Sequence, residues 1–137
     1  MISWLLGAAL MFPVYPGPPQ DDLRAAGENA RLAWQRHDMA ALVQSSSRVL
    51  VQLPGAEPSA PVSRQQAAVL LTEQVQGFEE VSVQVQSVRE LEGGRGVVEL
   101  ARAYRVAGTT GTRKQSVLLV YRRSGSRWEL LEVRLSG

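Results

Sequence analysis

Cysteine is absent from this 137-residue chain, which excludes disulfides, iron–sulfur clusters, cysteine-bearing zinc sites and thiol nucleophiles together. Histidine occurs once, as His37, so a zinc or iron site would have to take its other ligands from carboxylates alone. Neither a metal nor another cofactor is expected. Aspartate is confined to Asp21, Asp22 and Asp38, and lysine to Lys114. Arginine supplies the rest of the 15 bases, which face 13 acids for a net charge of +2. The arginines stand singly apart from the pairs Arg113-Lys114 and Arg122-Arg123. A dense basic stripe interleaved with aromatics, the usual mark of a phosphate-tracking surface, is missing, and no nucleic-acid partner is expected. Apolar residues make up 45% and charged residues 20%, ordinary proportions that exclude both a disordered chain and a multispanning membrane protein.

The longest uncharged apolar run is Ile2 to Val14, shorter than the ~20 residues of a membrane span. No integral span is expected. The run matches the apolar core of a secretory signal in length, although no Lys or Arg precedes Arg24. Residues 1–20 are therefore read as an apolar leader, with export or a periplasmic location as its consequence. The alternative is a cytoplasmic protein whose apolar arm packs on the domain.

Residues 21–137 read as one domain, long enough to bury roughly two-thirds of its unfolded surface. Leu23, Ala26, Ala30, Ala33, Trp34 and His37 follow helical spacing, which predicts a helix over Asp21–Arg36. Asp38 is placed to cap a second, short helix through Met39 and Leu42. Arg48–Leu53 alternates as a first strand, and the proline-rich stretch Pro54–Pro61 is an exposed loop. Ser63 with Gln66 three residues on marks the start of a further helix, stopped at Gly77, with Phe78 folding back onto it. After Phe78 the apolar period changes from about 3.6 to 2. Val81, Val83 and Val85 alternate, Val88 and Leu91 fall out of step, and a bulge is expected near Gln86 and Ser87. Turns at Gly93-Gly94, Gly108–Gly111 and Ser124–Ser126 then divide the chain into a meander of four long antiparallel strands. Such strands must curl, and helices carrying one apolar stripe cover the concave side. The expected class is α+β, a cone-shaped curved antiparallel sheet covered by N-terminal helices.

The segments WQRHDMAALVQ (Trp34–Gln44), VSRQQAAVLL (Val62–Leu71) and GSRWELLEVRL (Gly125–Leu135), in this order of elements, resemble the nuclear transport factor 2-like (SnoaL-like) superfamily of cystatin-like architecture. Within it the chain is similar to small uncharacterised bacterial domains that carry secretion signals. The resemblance spans about residues 21–136 and implies the cone fold. It implies no activity by itself, since the superfamily holds enzymes, binding proteins and transport adaptors. Ketosteroid isomerase, which has a similar shape, uses an Asp base with a Tyr and a protonated Asp at its oxyanion site. Here no Asp lies in the strands, and that set is not matched.

The candidate ligand-binding residues are Arg102, Tyr104, Tyr121 and Trp34. Arg102 and Tyr104 share one side of their strand, and an inward arginine requires a partner to offset its desolvation. A cross-strand pairing near Glu99 or Glu132, or simple exposure, is the plainer reading of Arg102. Tyr121, Trp128, Leu130 and Phe78 read first as core packing. His37-Asp38 reads as a helix junction rather than a catalytic dyad, and no catalytic residue is assigned. Both residue sets of the third meander strand are apolar, Val117, Leu119 and Tyr121 against Leu118 and Val120. One set must face away from the helices, which predicts a homodimer through the outer sheet face. The expected function is noncatalytic binding or protein interaction, with a cavity for a small apolar or anionic ligand. The alternative is a small SnoaL-like isomerase, dehydratase or cyclase using Tyr104, Arg102 and His37.

Overall fold

Asp22 opens the first helix by accepting a hydrogen bond from the Arg24 amide at 2.9 Å, the usual service of a short polar side chain to the orphan donors of a helix start. The computed structural model describes residues 22–136, so the leader expected over residues 1–20 lies outside the described residues. Helix α1 (Leu23–Gln35) buries Leu23, Gly27, Ala30, Ala33 and Trp34, one stripe at helical spacing. Gly27 lets the helix sit close on the sheet, because a Cβ there would lie 3.1 Å from Cγ1 of Val98. The helix ends in a Schellman arrangement, with His37 N–H donating to the Trp34 carbonyl (2.9 Å) and Asp38 N–H to the Ala33 carbonyl (2.8 Å). The position that usually needs glycine is filled by His37, in the left-handed region at φ 56°. Asp38 then caps α2 (Met39–Leu42) by accepting from the Ala41 amide at 3.1 Å.

Strand β1 (Arg48–Gln52) pairs antiparallel with the two-residue β2 (Val62–Ser63). Ser63 caps α3 (Arg64–Val75), its hydroxyl accepting from the Gln66 amide at 3.1 Å. Gly77, at φ 82°, ends that helix as a left-handed stop. Phe78, expected to lie back on α3, is instead the first residue of β3 (Phe78–Leu91). The four-strand meander follows as expected: β3, β4 (Arg95–Val106), β5 (Thr112–Ser124) and β6 (Arg127–Leu135). The sheet order is β2-β1-β6-β5-β4-β3.

Two further features depart from the sequence reading. The sheet is mixed rather than purely antiparallel, since β1 runs parallel to β6 with Leu50, Val51 and Gln52 opposite Glu132, Val133 and Arg134. A parallel neighbour requires a long crossover, and α3 with the meander supplies it. Strand β3 carries two register shifts, the expected one between Val85 and Ser87 and another between Glu80 and Ser82.

The inward face is set by the β4 and β5 registers. Val98, Leu100, Arg102 and Tyr104 point to the helices, as do Gln115, Val117, Leu119 and Tyr121. Of these, Val98, Leu100, Val117, Leu119 and Tyr121 build the core with Trp34, Leu23, Leu71, Val49, Leu130 and Val133. Helix α1 lies across β3 and β4, while α3 packs against α2, β1 and β2. Among the described residues, no helix is long and apolar enough to cross a membrane.

Candidate functional site

Arg102 is the one arginine of the inner face whose side chain is wholly enclosed. It stands mid-strand in β4, opposite Val83 of β3 and Gln115 of β5. The extra residue at Val81 turns Glu80 to the inner side, opposite Tyr104. There the Glu80 carboxylate receives Arg102 as a fork: Nε donates to Oε1 at 3.0 Å and Nη2 donates to Oε2. Nη1 donates to the side-chain oxygen of Gln115 at 2.6 Å. This bidentate, charge-assisted geometry is the favourable one for an enclosed ion pair.

His37 reaches the same carboxylate from the helix junction, its Nε2 2.8 Å from Oε2 of Glu80. An ionised carboxylate only accepts, so Nε2 carries the proton in this contact. The left-handed backbone at His37 aims the ring across the α1–α2 corner onto the sheet. Glu80 is 4% exposed and His37 26%, so the imidazole is the part of the cluster that meets solvent. Its outer side borders an open groove of about 440 Å³ between α2 and α3, with Val69, Thr72 and Glu73 on the far wall.

Aromatic rings enclose the guanidinium. Its Cζ lies 4.0 Å from the Tyr104 ring centroid, 5.4 Å from Trp34 and 5.8 Å from Phe78. Phe78 and Tyr104 themselves are 4.7 Å apart and tilted by 35°. Cation–π attraction strengthens when the cation is desolvated, as here. One polar atom is left over: the indole Nε1 of Trp34 is buried and has no acceptor within reach among the described residues. An orphaned buried donor costs free energy until something accepts from it.

Of the four residues singled out in the sequence, the structure therefore brings Arg102, Tyr104 and Trp34 together. It separates Tyr121, which faces inward opposite Gly96 and Leu130, six residues beyond Gln115 and so about 20 Å along the strand. Burial pushes the Tyr121 phenol well above its ordinary range. The partner of Arg102 is neither Glu99 nor Glu132. Glu99 lies on the outer side of β4, and Glu132 pairs with Arg134. Glu80 is not legible in the sequence as that partner, because strict alternation from Val81 puts it on the side away from Val83. Asp38 is occupied as a cap, while His37 turns to Glu80. Chemically, the cluster holds a carboxylate whose oxygens are spent on cationic and imidazole donors. The groups not spent within the cluster include, among the described residues, the outer edge of the His37 ring, the Tyr104 hydroxyl and the buried indole N–H of Trp34. Among the described residues, no group of three or more His, Asp or Glu side chains is placed to hold a metal ion.

No protein-family model matches the sequence, and no curated protein matches it. The fold does have solved counterparts. A ketosteroid isomerase-like protein from Erwinia carotovora atroseptica superposes with a TM-score of 0.69 at 14% identity, over 88% of this chain and 97% of that one. A DUF4783 family protein from Bacteroides ovatus gives 0.66 at 12% identity, over 79% and 91%. A protein of the NTF2-like family from Streptomyces avermitilis gives 0.62 at 15% identity, over 85% and 94%. At these identities the likeness concerns the fold alone.

Proposed function

From a nuclear transport factor 2-like fold as premise, we propose that this domain is a noncatalytic binding and protein-interaction module with a small-ligand position at the cone mouth beside His37. The observation that carries the reading is the state of Arg102. Its side chain is fully enclosed, its fork is taken by Glu80, and its remaining nitrogen by Gln115. A carboxylate that acts as a general base must be free to accept a substrate proton, and Glu80 is instead held by Arg102 and His37. The charged groups of the cluster satisfy one another at this level of the cone, which suits a scaffold better than a catalyst.

Two further features support a ligand at the mouth. The outer edge of the His37 ring favours a molecule with a polar end, and the apolar side chains of Ala68 and Val69 in the same groove favour one that is otherwise apolar. The apolar run Ile2–Val14 supports export as the setting for such a module. Association through the outer sheet face belongs to the same reading, because Leu118 lies on that side and is only half-buried.

The test joins turnover to binding on the full chain. Incubation with a β,γ-unsaturated ketone is expected to give no isomerisation above background. Titration with benzoate, an apolar carboxylate, is expected to shift the His37 ring and Val69 methyl resonances saturably. Isomerisation that disappears in Glu80→Gln would overturn the reading in favour of an enzyme.

A further inference from the structure

The opposite end of the domain carries a second, chemically different depression. An open groove of about 620 Å³ lies between the Ser45–Ser47 turn, the first residues of α3 and the β5–β6 hairpin. Its walls are built mainly from hydrogen-bond donors. Arg64 leans across it, one guanidinium nitrogen donating to the Gln44 carbonyl at 3.0 Å, which fixes the side chain and leaves its other nitrogens available. Arg127 stands on the hairpin side and makes no ion pair among the described residues. Ser45 already accepts from the Leu130 amide at 3.4 Å, so its hydroxyl proton is left to donate. Ser124 and Gln65 complete the rim.

The one acid of the groove is chemically spent. Burial acts to raise the Glu129 pKa, but hydrogen bonds from Arg122 and Ser47, with the charge of Arg122, outweigh it and hold the carboxyl below its ordinary range. Its Oε1 accepts from Arg122 at 3.0 Å and its Oε2 from the Ser47 hydroxyl at 3.2 Å. The turn is tied down as well, since the buried Ser46 hydroxyl donates to the Leu130 carbonyl at 2.7 Å. The groove is thus preorganised, with donors in excess and no free carboxylate among its lining residues. Preorganisation of that kind lowers the entropic cost of binding.

We infer that this groove binds a small anionic, hydroxyl-bearing molecule, with Arg64 and Arg127 flanking the anion and Ser45, Ser124 and Gln65 meeting hydroxyls. Guanidinium groups recognise carboxylate and phosphate through paired N–H donors, while serine and amide side chains match hydroxyl groups, which both donate and accept. The inference is independent of the cone-mouth ligand, because the two sites share no lining residue.

Amide chemical shifts of the full chain at low ionic strength are the readout, with glucuronate, glucose 6-phosphate, inorganic phosphate and neutral glucose as probes. Saturable shifts confined to Ser45–Ser47, Arg64, Gln65 and Ser124–Arg127 are expected from glucuronate or glucose 6-phosphate, and whichever binds more tightly identifies the anion as carboxylate or phosphate. Arg127→Gln, at an exposed position, is expected to weaken that binding about tenfold with an unchanged fold. Non-saturating shifts, or saturable ones that Arg127→Gln leaves intact, would overturn the site. Glucose binding as tightly as glucuronate would overturn its anionic character, and phosphate alone matching glucose 6-phosphate would overturn the hydroxyl contacts.

Discussion

A fully enclosed guanidinium is tolerable only while its carboxylate stays opposite it, and the Arg102–Glu80 pair makes that dependence testable. Glu80→Gln keeps the shape and removes the charge, leaving Arg102 buried without its counter-ion. We expect a loss of about 3–5 kcal/mol in urea denaturation. The double change Arg102→Met with Glu80→Leu removes both charges and is expected to recover most of that loss, because two well-packed apolar chains carry no desolvation cost. A double variant as unstable as Glu80→Gln would show that the pair contributes through packing rather than charge. At this scale the sequence is only partly readable. Arg102 and Tyr104 stand out because a long charged or aromatic residue in an alternating strand must go somewhere definite. Glu80 does not stand out, since one inserted residue at Val81 exchanges the two sides of β3 and alternation carries no sign of it. His37 is hidden for a different reason. Its direction is fixed by a left-handed backbone at a position where glycine is usual, and helical spacing continues the apolar stripe of α1 straight through it. Tyr121 is misplaced because a shared face of a sheet does not make a shared site over six residues of strand.

Helices and turns are legible where side chains serve the backbone locally. Asp22, Asp38 and Ser63 each accept from an amide two or three residues on, and a polar residue just ahead of an apolar stripe is sufficient to announce that. Ser63→Ala is accordingly expected to lower stability by ~0.5–2 kcal/mol, read as a shift in the thermal midpoint. An unchanged midpoint would mean that the Ser63–Gln66 bond contributes nothing to α3. The meander is equally legible, since its glycine turns and two-residue period are local signals. The pairing of β1 with β6 is not. Leu50 and Glu132 are far apart in the chain, and nothing in Arg48–Gln52 alone states which strand it will join or in which direction.

For the whole molecule, the register resolves which apolar set of β5 faces out. Val117, Leu119 and Tyr121 are inside, and Leu118 with Val120 outside. The outer side is less bare than its composition suggests, because Val97 and Val120 are only 9% and 8% exposed. Leu118 is half-buried and lies between Glu99 and Arg134 on the neighbouring strands. If copies of the domain associate through this face, Leu118→Glu is expected to give a folded monomer, whereas Leu119→Glu is expected to unfold the chain by placing a charge in the core. Light scattering across micromolar concentrations decides between these, and a wild-type mass of one protomer throughout would end the dimer proposal.

The place of β6 has one more consequence. It lies inside the sheet, between β1 from the N-terminal half and β5 of the meander, so residues 127–135 close a gap that the earlier chain leaves open. During synthesis β1 and β5 each present an unfilled edge until that stretch has emerged from the ribosome, and the fold cannot lock while it is still in the exit tunnel. Nascent chains stalled before Arg127 should therefore be the species that chaperones hold, and chains released past Leu135 the first to resist protease.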